Sequence, residues 1–173
     1  MIYFTADLHF GHSKIINHCS RPFQNAEEMD KTLIKNWNNT VSCDDETYIL
    51  GDFTMRGGMF ANEILRLLNG KKYFIKGNHD RFCFNEAFDN NLVEWTKDYY
   101  MLEYETFQFV LFHYPIEHWW RIKSGAIHLH GHSHNGLEYN LSAIEKGNKR
   151  FDVGVDANNY RPISVDEVIS WVV

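Results

Sequence analysis

Aspartate, asparagine and histidine recur along this 173-residue chain in five short motifs: Asp7-Leu8-His9, Gly51-Asp52, Gly77-Asn78-His79-Asp80, His113 and Gly131-His132-Ser133-His134. Together they offer two carboxylates, one amide and four imidazoles, with His79 left over as a further imidazole. Oxygen and nitrogen donors without thiolates suit divalent ions such as Mn, Fe or Zn. One ion takes about four protein ligands. Seven donors are therefore too many for one ion and fit two that share a bridging carboxylate. Two ions can clamp both the attacking and the leaving oxygen of an in-line displacement at phosphorus, so the donor set points to hydrolysis of a phosphate ester.

The elements needed to position these donors can be read from hydrophobic patterning. Ile2 to Ala6, Thr47 to Leu50 and Lys72 to Lys76 read as buried strands, each ending in a loop that carries donors: Asp7, Asp52 and Asn78. Open α/β sheets place ligands outside the carboxyl ends of their strands, so the repetition predicts a site on loops at one sheet edge. Asn25-Ala-Glu-Glu28 resembles a capping box and opens a helical pattern through Met29, Leu33, Ile34, Trp37 and Val41. A shorter helix is expected over Asn62 to Leu68, stopped by Asn69-Gly70. The second half reads as more β-rich. A hairpin is expected around Glu105-Thr106, with His113 where its second strand ends. Further strands are expected at Ala126 to His130 and Arg150 to Val155, and a capping box at Ser164-Val-Asp-Glu167 opens a terminal helix. With no repeat or linker, the expectation is one domain over residues 1–173, βαβ units first and antiparallel strands later.

Composition narrows the setting. The length suits one core, and 13 Phe, 9 Tyr and 5 Trp make it aromatic-rich. A net charge of −6 argues against a broad basic surface for nucleic acid. Bound cations would still make the site itself positive, so phosphate substrates remain open. Cys19, Cys43 and Cys83 form no C-x-x-C pair, which suits a reducing compartment. A donor seven residues from the start leaves no room for a cleavable leader, and no apolar run suggests a membrane partner. The expectation is a cytoplasmic protein.

Taken in order, D-x-H, GD, GNHD, H and GHxH resemble the calcineurin-like metallophosphoesterase superfamily, and the likeness spans residues 7 to 134. The Asp7 to His12 segment is similar to the start of small bacterial and phage phosphoesterases; Arg21-Pro22-Phe23 and Gly154-Val155-Asp156 are softer likenesses. The resemblance implies an α/β fold, a two-sheet β-sandwich flanked by helices in four layers (α/β/β/α). It also implies hydrolysis of phosphate monoesters or diesters by a metal-activated hydroxide. Residue by residue, it places Asp7, His9 and His134 on one ion, Asn78, His113 and His132 on a second, and Asp52 between them. It gives His79 the role of an acid near the leaving oxygen, with Asp80 accepting from its ring or serving only as a turn or cap residue. Mn is the expected ion, with Fe, Zn, Ni or Mg as alternatives.

The likeness has a limit. Protein phosphatases of the superfamily read GD-x-x-D-R-G, whereas Met55 stands here before Arg56 and Gly57. Protein phosphatase activity is not carried over, and Arg56 is either a phosphate clamp or a solvated loop arginine. His12 either returns to the site, as a phosphate contact or second acid, or starts a helix. Arg21 is a weaker candidate for holding the anion. His128 and His130 read as strand residues with hydrogen-bonded rings; His18 and His118 as packing or surface. Trp119 and Trp120 beside Arg121 are core, pocket wall or a nucleobase platform. Asp156 is a possible acceptor for a ligand imidazole. The substrate expected is a small phosphoester or nucleotide, with a nuclease or cyclic-nucleotide phosphodiesterase as rival. A non-catalytic scaffold on the same fold is the rival of another class. Oligomeric state is open.

Overall fold

A computed structural model describes all residues, 1–173. The first sheet has the order β4-β3-β2-β1-β9, made by β1 (Ile2–Thr5), β2 (Glu46–Leu50), β3 (Lys71–Ile75), β4 (Trp95–Lys97) and β9 (Ile163–Ser164). Its four strands β1 to β4 run parallel and only β9 is antiparallel. The second sheet, β5-β6-β7-β8, comprises β5 (Tyr99–Tyr104), β6 (Phe107–Phe112), β7 (Ile127–His130) and β8 (Arg150–Asp152).

The two sheets share a core. Phe4, Tyr48, Leu50 and Ile75 from the first pack with Leu102, Phe109, Leu111, Leu129 and Phe151 from the second. The opposite face of the first sheet is covered by α1 (Ser13–His18), α2 (Ala26–Thr40) and α3 (Gly58–Leu67) around Trp37, Met29, Leu33, Phe53 and Phe74. Strands buried on both faces are the expected companions of parallel pairing. On the far side, α4 (Leu137–Glu145) lies along β8, and the crossover after His113 covers part of the second sheet through Trp119. Two mixed sheets flanked by helices are thus the architecture anticipated from the motifs.

Several elements differ from expectation. The second half is not mainly antiparallel: only β5–β6 is a hairpin, while β6–β7 and β7–β8 are parallel. The crossovers explain this, since parallel neighbours need long returns, and residues 113–126 and α4 supply them. The helix expected from Asn62 begins at Gly58. Asn62 does not cap it, but reaches across to Ala87 O (2.8 Å) and Asp89 N (3.0 Å). Only half of the first capping box forms: Asn25 accepts from Glu28 N, but Glu28 accepts from Gln24 N. No helix is long and apolar enough to cross a membrane.

The terminal α5 (Val165–Ser170) has its complete capping box. Ser164 Oγ accepts from Glu167 N (3.2 Å) and Glu167 Oε2 from Ser164 N (2.9 Å). Ser164→Ala is expected to cost about 1 kcal/mol, read as a lower urea midpoint at an unchanged m-value. The Arg161 side chain also holds Glu167 down, to a pKa of about 2 from an ordinary 4.5. A depressed carboxylate pKa stabilises the fold above the unfolded value, and that contribution drains away as pH falls from about 4.5 towards about 2. Urea titrations of Glu167→Gln and wild type should converge over that window and separate above it.

Candidate metal centre

The site forms where strand ends of both sheets meet. Residues after β1 and β2 continue to pair beyond the strands: Asp7 N donates to Gly51 O (3.0 Å), His9 N to Asp52 O (2.9 Å) and Phe10 N to Phe53 O (2.9 Å). This ladder sets Asp7 and His9 beside Asp52. Gly131 N donates to His113 O (3.0 Å), and Ala6 bridges Gly154, so the second sheet's strand ends join the same edge. Five donor-bearing residues have left-handed backbone: Asp7 (φ 58°), His9 (52°), Asp52 (54°), His132 (69°) and His134 (50°). Such non-glycine geometry costs about 1–3 kcal/mol each, and it clusters where surrounding structure holds side chains to a task. Close approach also requires small residues. A Cβ on Gly131 would stand 2.7 Å from Asp7 Oδ2, and one on Gly77 would collide with the Asp52 carboxylate.

The two oxygens of Asp52 face different imidazoles. Oδ2 lies 3.5 Å from His9 Nε2, and Oδ1 lies 3.6 Å from His113 Nε2. Asn78 Oδ1 is 3.0 Å from His113 Nε2 and 2.9 Å from His132 Nδ1. Two sets of donors result, with Asp52 in both. The nearest donor atoms of Asp7, His9, Asp52 and His134 lie within 4.8 Å of one another, as do those of Asp52, His113 and His132. Asp7 Oδ2 and both ring nitrogens of His9 are buried without a hydrogen-bond partner. An unpartnered buried polar atom costs about 1–3 kcal/mol, and a cation held by one atom from each residue of the Asp7, His9, Asp52 and His134 group would relieve part of that cost.

Charge at the site follows from burial. Burial, with Asp152 adding, pushes the Asp7 carboxyl well above its ordinary range. Burial and the neighbouring His134 drive His9 down to about 2. His134 runs the other way: burial opposes protonation, but Asp156, aided by Cys19 and Asp7, lifts it to about 10. His134 Nδ1–H donates to Asp156 Oδ2 (2.8 Å), which leaves Nε2 as its second ring nitrogen for the donor group. His113 Nδ1–H donates to Leu50 O (2.8 Å), leaving Nε2 free to face Asp52 and Asn78. Fixing the second ring nitrogen in this way is how proteins orient metal-binding histidines.

A family model of calcineurin-like phosphoesterases matches residues 1–165. The chain belongs to this family. An uncharacterised protein of Methanocaldococcus jannaschii, MJ1445, is 39% identical over 173 residues, covering 99% of this chain and 90% of its own. Gene 66 protein of Mycobacterium phage D29 is 29% identical, over 90% and 88% of the two chains. Among solved structures, AQ665 of Aquifex aeolicus, described as of unknown function, superposes with a TM-score of 0.77 at 27% identity, over 98% of each chain. The family supports a metal-dependent phosphoesterase, and its metal-binding character agrees with the donor groups found here.

Within this calcineurin-like centre, the remaining candidates divide. His79 and His12 both line a cleft of about 620 Å³ that opens over the donors. His79 Nε2 lies 3.9 Å from Asp52 Oδ2, and its side chain is 39% exposed, open to a ligand. His12 Nδ1 is buried without a partner. Asp80 does not orient His79. Its carboxylate accepts instead from Asp52 N (2.7 Å), Phe53 N (2.8 Å) and Gly77 N (2.7 Å), because three backbone N–H groups converge on it in a buried turn. The physical role is to tie two donor loops together. Arg56 is not a phosphate clamp in this structure. Its guanidinium lies over the Phe60 ring at 4.0 Å and lines a separate depression beside Gly57 and Glu63.

Arg21 does not hold an anion from the cleft either. Buried, it donates from Nε and Nη2 to Asp156 (both 2.8 Å) and from Nη1 and Nη2 to the carbonyls of Leu8 (3.1 Å) and Asp7 (2.6 Å). His128 and His130 are satisfied strand residues, with ring nitrogens against Val110 O and Gly131 O. Trp119 is buried and donates to Ala126 O, while Trp120 alone is exposed beside Arg121, so the pair makes no platform. The sequence reading missed Asp152, which accepts from Gly154 N and Asn135 behind Asp7. It also missed Lys14 and Asn17, which line the cleft from α1, and His18, read as packing or surface, lines it with them; their spacing on one helix face was the available signal.

Asp156→Asn should weaken divalent-ion binding about 10- to 100-fold by freeing the His134 ring, measured by competition with a chromogenic chelator. Arg56→Ala should leave kcat/KM for a generic phosphoester within about twofold, since a phosphate clamp would cost far more.

Proposed function

We propose that this chain hydrolyses phosphate esters at a pair of divalent ions bridged by Asp52. The observation that carries the reading is the split carboxylate: one oxygen faces His9 and the other His113. Asp7, His9 and His134 would hold one ion and Asn78, His113 and His132 the other, with Asp52 shared between them. Bound there, such ions polarise the phosphoryl group and bring water towards a nucleophile at neutral pH. Mn is the ion we favour among the divalent ions that a mixed oxygen and imidazole set without thiolate accepts.

The chain's own groups divide the remaining work. His79, in the cleft and tethered by its backbone N–H to Asp52 Oδ1 (3.0 Å), would give a proton to the leaving oxygen. As the new O–P bond forms from water, the ester P–O bond breaks, and that proton completes the alcohol. Asp80 and Arg21 keep the loops that carry Asp7, Asp52 and Asn78 in register. A monoester and a diester both fit this scheme, including a cyclic nucleotide. The complete donor set, with His79 beside it, favours an enzyme over a scaffold on the same fold. The free cysteines Cys19, Cys43 and Cys83 favour work in a reducing compartment, the cytoplasm.

Asp52→Asn is expected to remove most Mn-stimulated hydrolysis of p-nitrophenyl phosphate or its bis ester and to lower the bound metal. Wild-type-like turnover in a folded Asp52→Asn protein would sink the proposal. His79→Ala should lower kcat about 10²- to 10⁴-fold while the metal content, read by elemental analysis, stays at the wild-type level.

A further inference from the structure

Helix α1 is too short to be stable alone, and its buried Ile15 and Ile16 fasten it to the core. The opposite side bears Lys14, Asn17 and His18, at the i, i+3 and i+4 spacing that places side chains on one helix face. All three are exposed, and all three line the cleft that contains the candidate metal centre. His12, just before the helix, joins them, with its buried Nδ1 unpartnered.

The chemistry of this wall is one-sided. Apart from the proposed ligands, the cleft is lined by His12, Lys14, Asn17, His18 and His79, together with Ile15, which is 3% exposed. Its one carboxylate is Asp52, which faces the imidazoles of the centre. An acceptor-rich group would find an ammonium, an amide and imidazoles there, and Ile15 is the one aliphatic side chain of the lining. The cleft, about 620 Å³, exceeds the needs of one phosphate and falls in the range of small-molecule sites.

We propose that the Lys14–Asn17–His18 face is a second anion subsite, which selects small substrates carrying a further phosphate beside the scissile one, such as nucleoside diphosphates. The proposal rests on the dinuclear reading above. Lys14 would donate to that phosphate as a point charge, with Asn17 and His18 sharing its remaining oxygens. The overall charge of −6 favours a small molecule over a nucleic acid, which binds through many backbone phosphates.

The test is isothermal titration of the Mn-loaded protein with ADP and AMP, which differ by one phosphate. Wild type should bind ADP about tenfold or more tightly than AMP, the worth of one charge-assisted hydrogen bond. Lys14→Ala/His18→Gln should shrink that ratio to within about twofold. Lys35→Ala, which removes an equal charge from the exposed face of α2, should keep it. A protein that binds Mn and cleaves p-nitrophenyl phosphate yet shows no ADP preference, or keeps it in the double variant, overturns the subsite alone. A protein that neither binds Mn nor cleaves any ester overturns the dinuclear reading and the subsite with it. Tighter binding of a 5′-phosphorylated dinucleotide than of ADP would overturn the small-molecule form.

Discussion

Buried donor atoms without partners raise the free energy of a fold, and this protein gathers them where its two sheets meet. Asp7, His9, Asp52 and His113 are each almost wholly removed from solvent, and Asp7 Oδ2 and both ring nitrogens of His9 have no hydrogen-bond partner. Left-handed backbone at Asp7, His9 and Asp52 adds to that cost. The surroundings offset it with conventional bonds. Asp80 takes three backbone N–H groups, and Arg21 binds two carbonyls and a carboxylate. Asp152 accepts from Gly154 and Asn135. The parallel strands supply the frame, because their ends all arrive at one edge. Asp80, Arg21 and Asp152 behind the donors are satisfied, while Asp7 Oδ2 and the His9 ring nitrogens in front have no partner.

This division explains which features could be read from the chain. The donor motifs and the strands before them were legible because each is local: a short apolar run, then glycine or aspartate. The capping box at Ser164 was legible for the same reason. Parallel pairing of β6, β7 and β8 was not, since it depends on where the crossovers run. Helix α4 gave little sign of itself, because its cap is Gly136 with no side-chain bond and its sequence mixes Leu, Glu, Tyr and Asn. The roles of Asp80 and Arg56 were set by tertiary contacts. Asp80 sits next to His79 in sequence, but the turn points its carboxylate back into the loops. Arg56 stands four residues after Asp52, yet the Phe60 ring captures it.

The centre and its walls answer to different demands. Donor geometry is shared chemistry that suits any phosphate ester, and it is held by buried bonds that tolerate little change. The cleft wall is made of exposed side chains on a short helix, where substitutions alter few packing contacts. Family membership therefore speaks to the reaction rather than to the substrate.

Arg21 gives this arrangement a further property. Its guanidinium reaches Asp7 and Leu8 on one side and Asp156 on the other, while α1 lies in the chain between Leu8 and Arg21. The segment is thus a closed loop of sequence, clasped at its base and presenting a different helix face to whatever enters. Within the clasp, the exposed face of α1 could be exchanged as a cassette between relatives so long as His9, which lies in the same loop and among the donors, is kept.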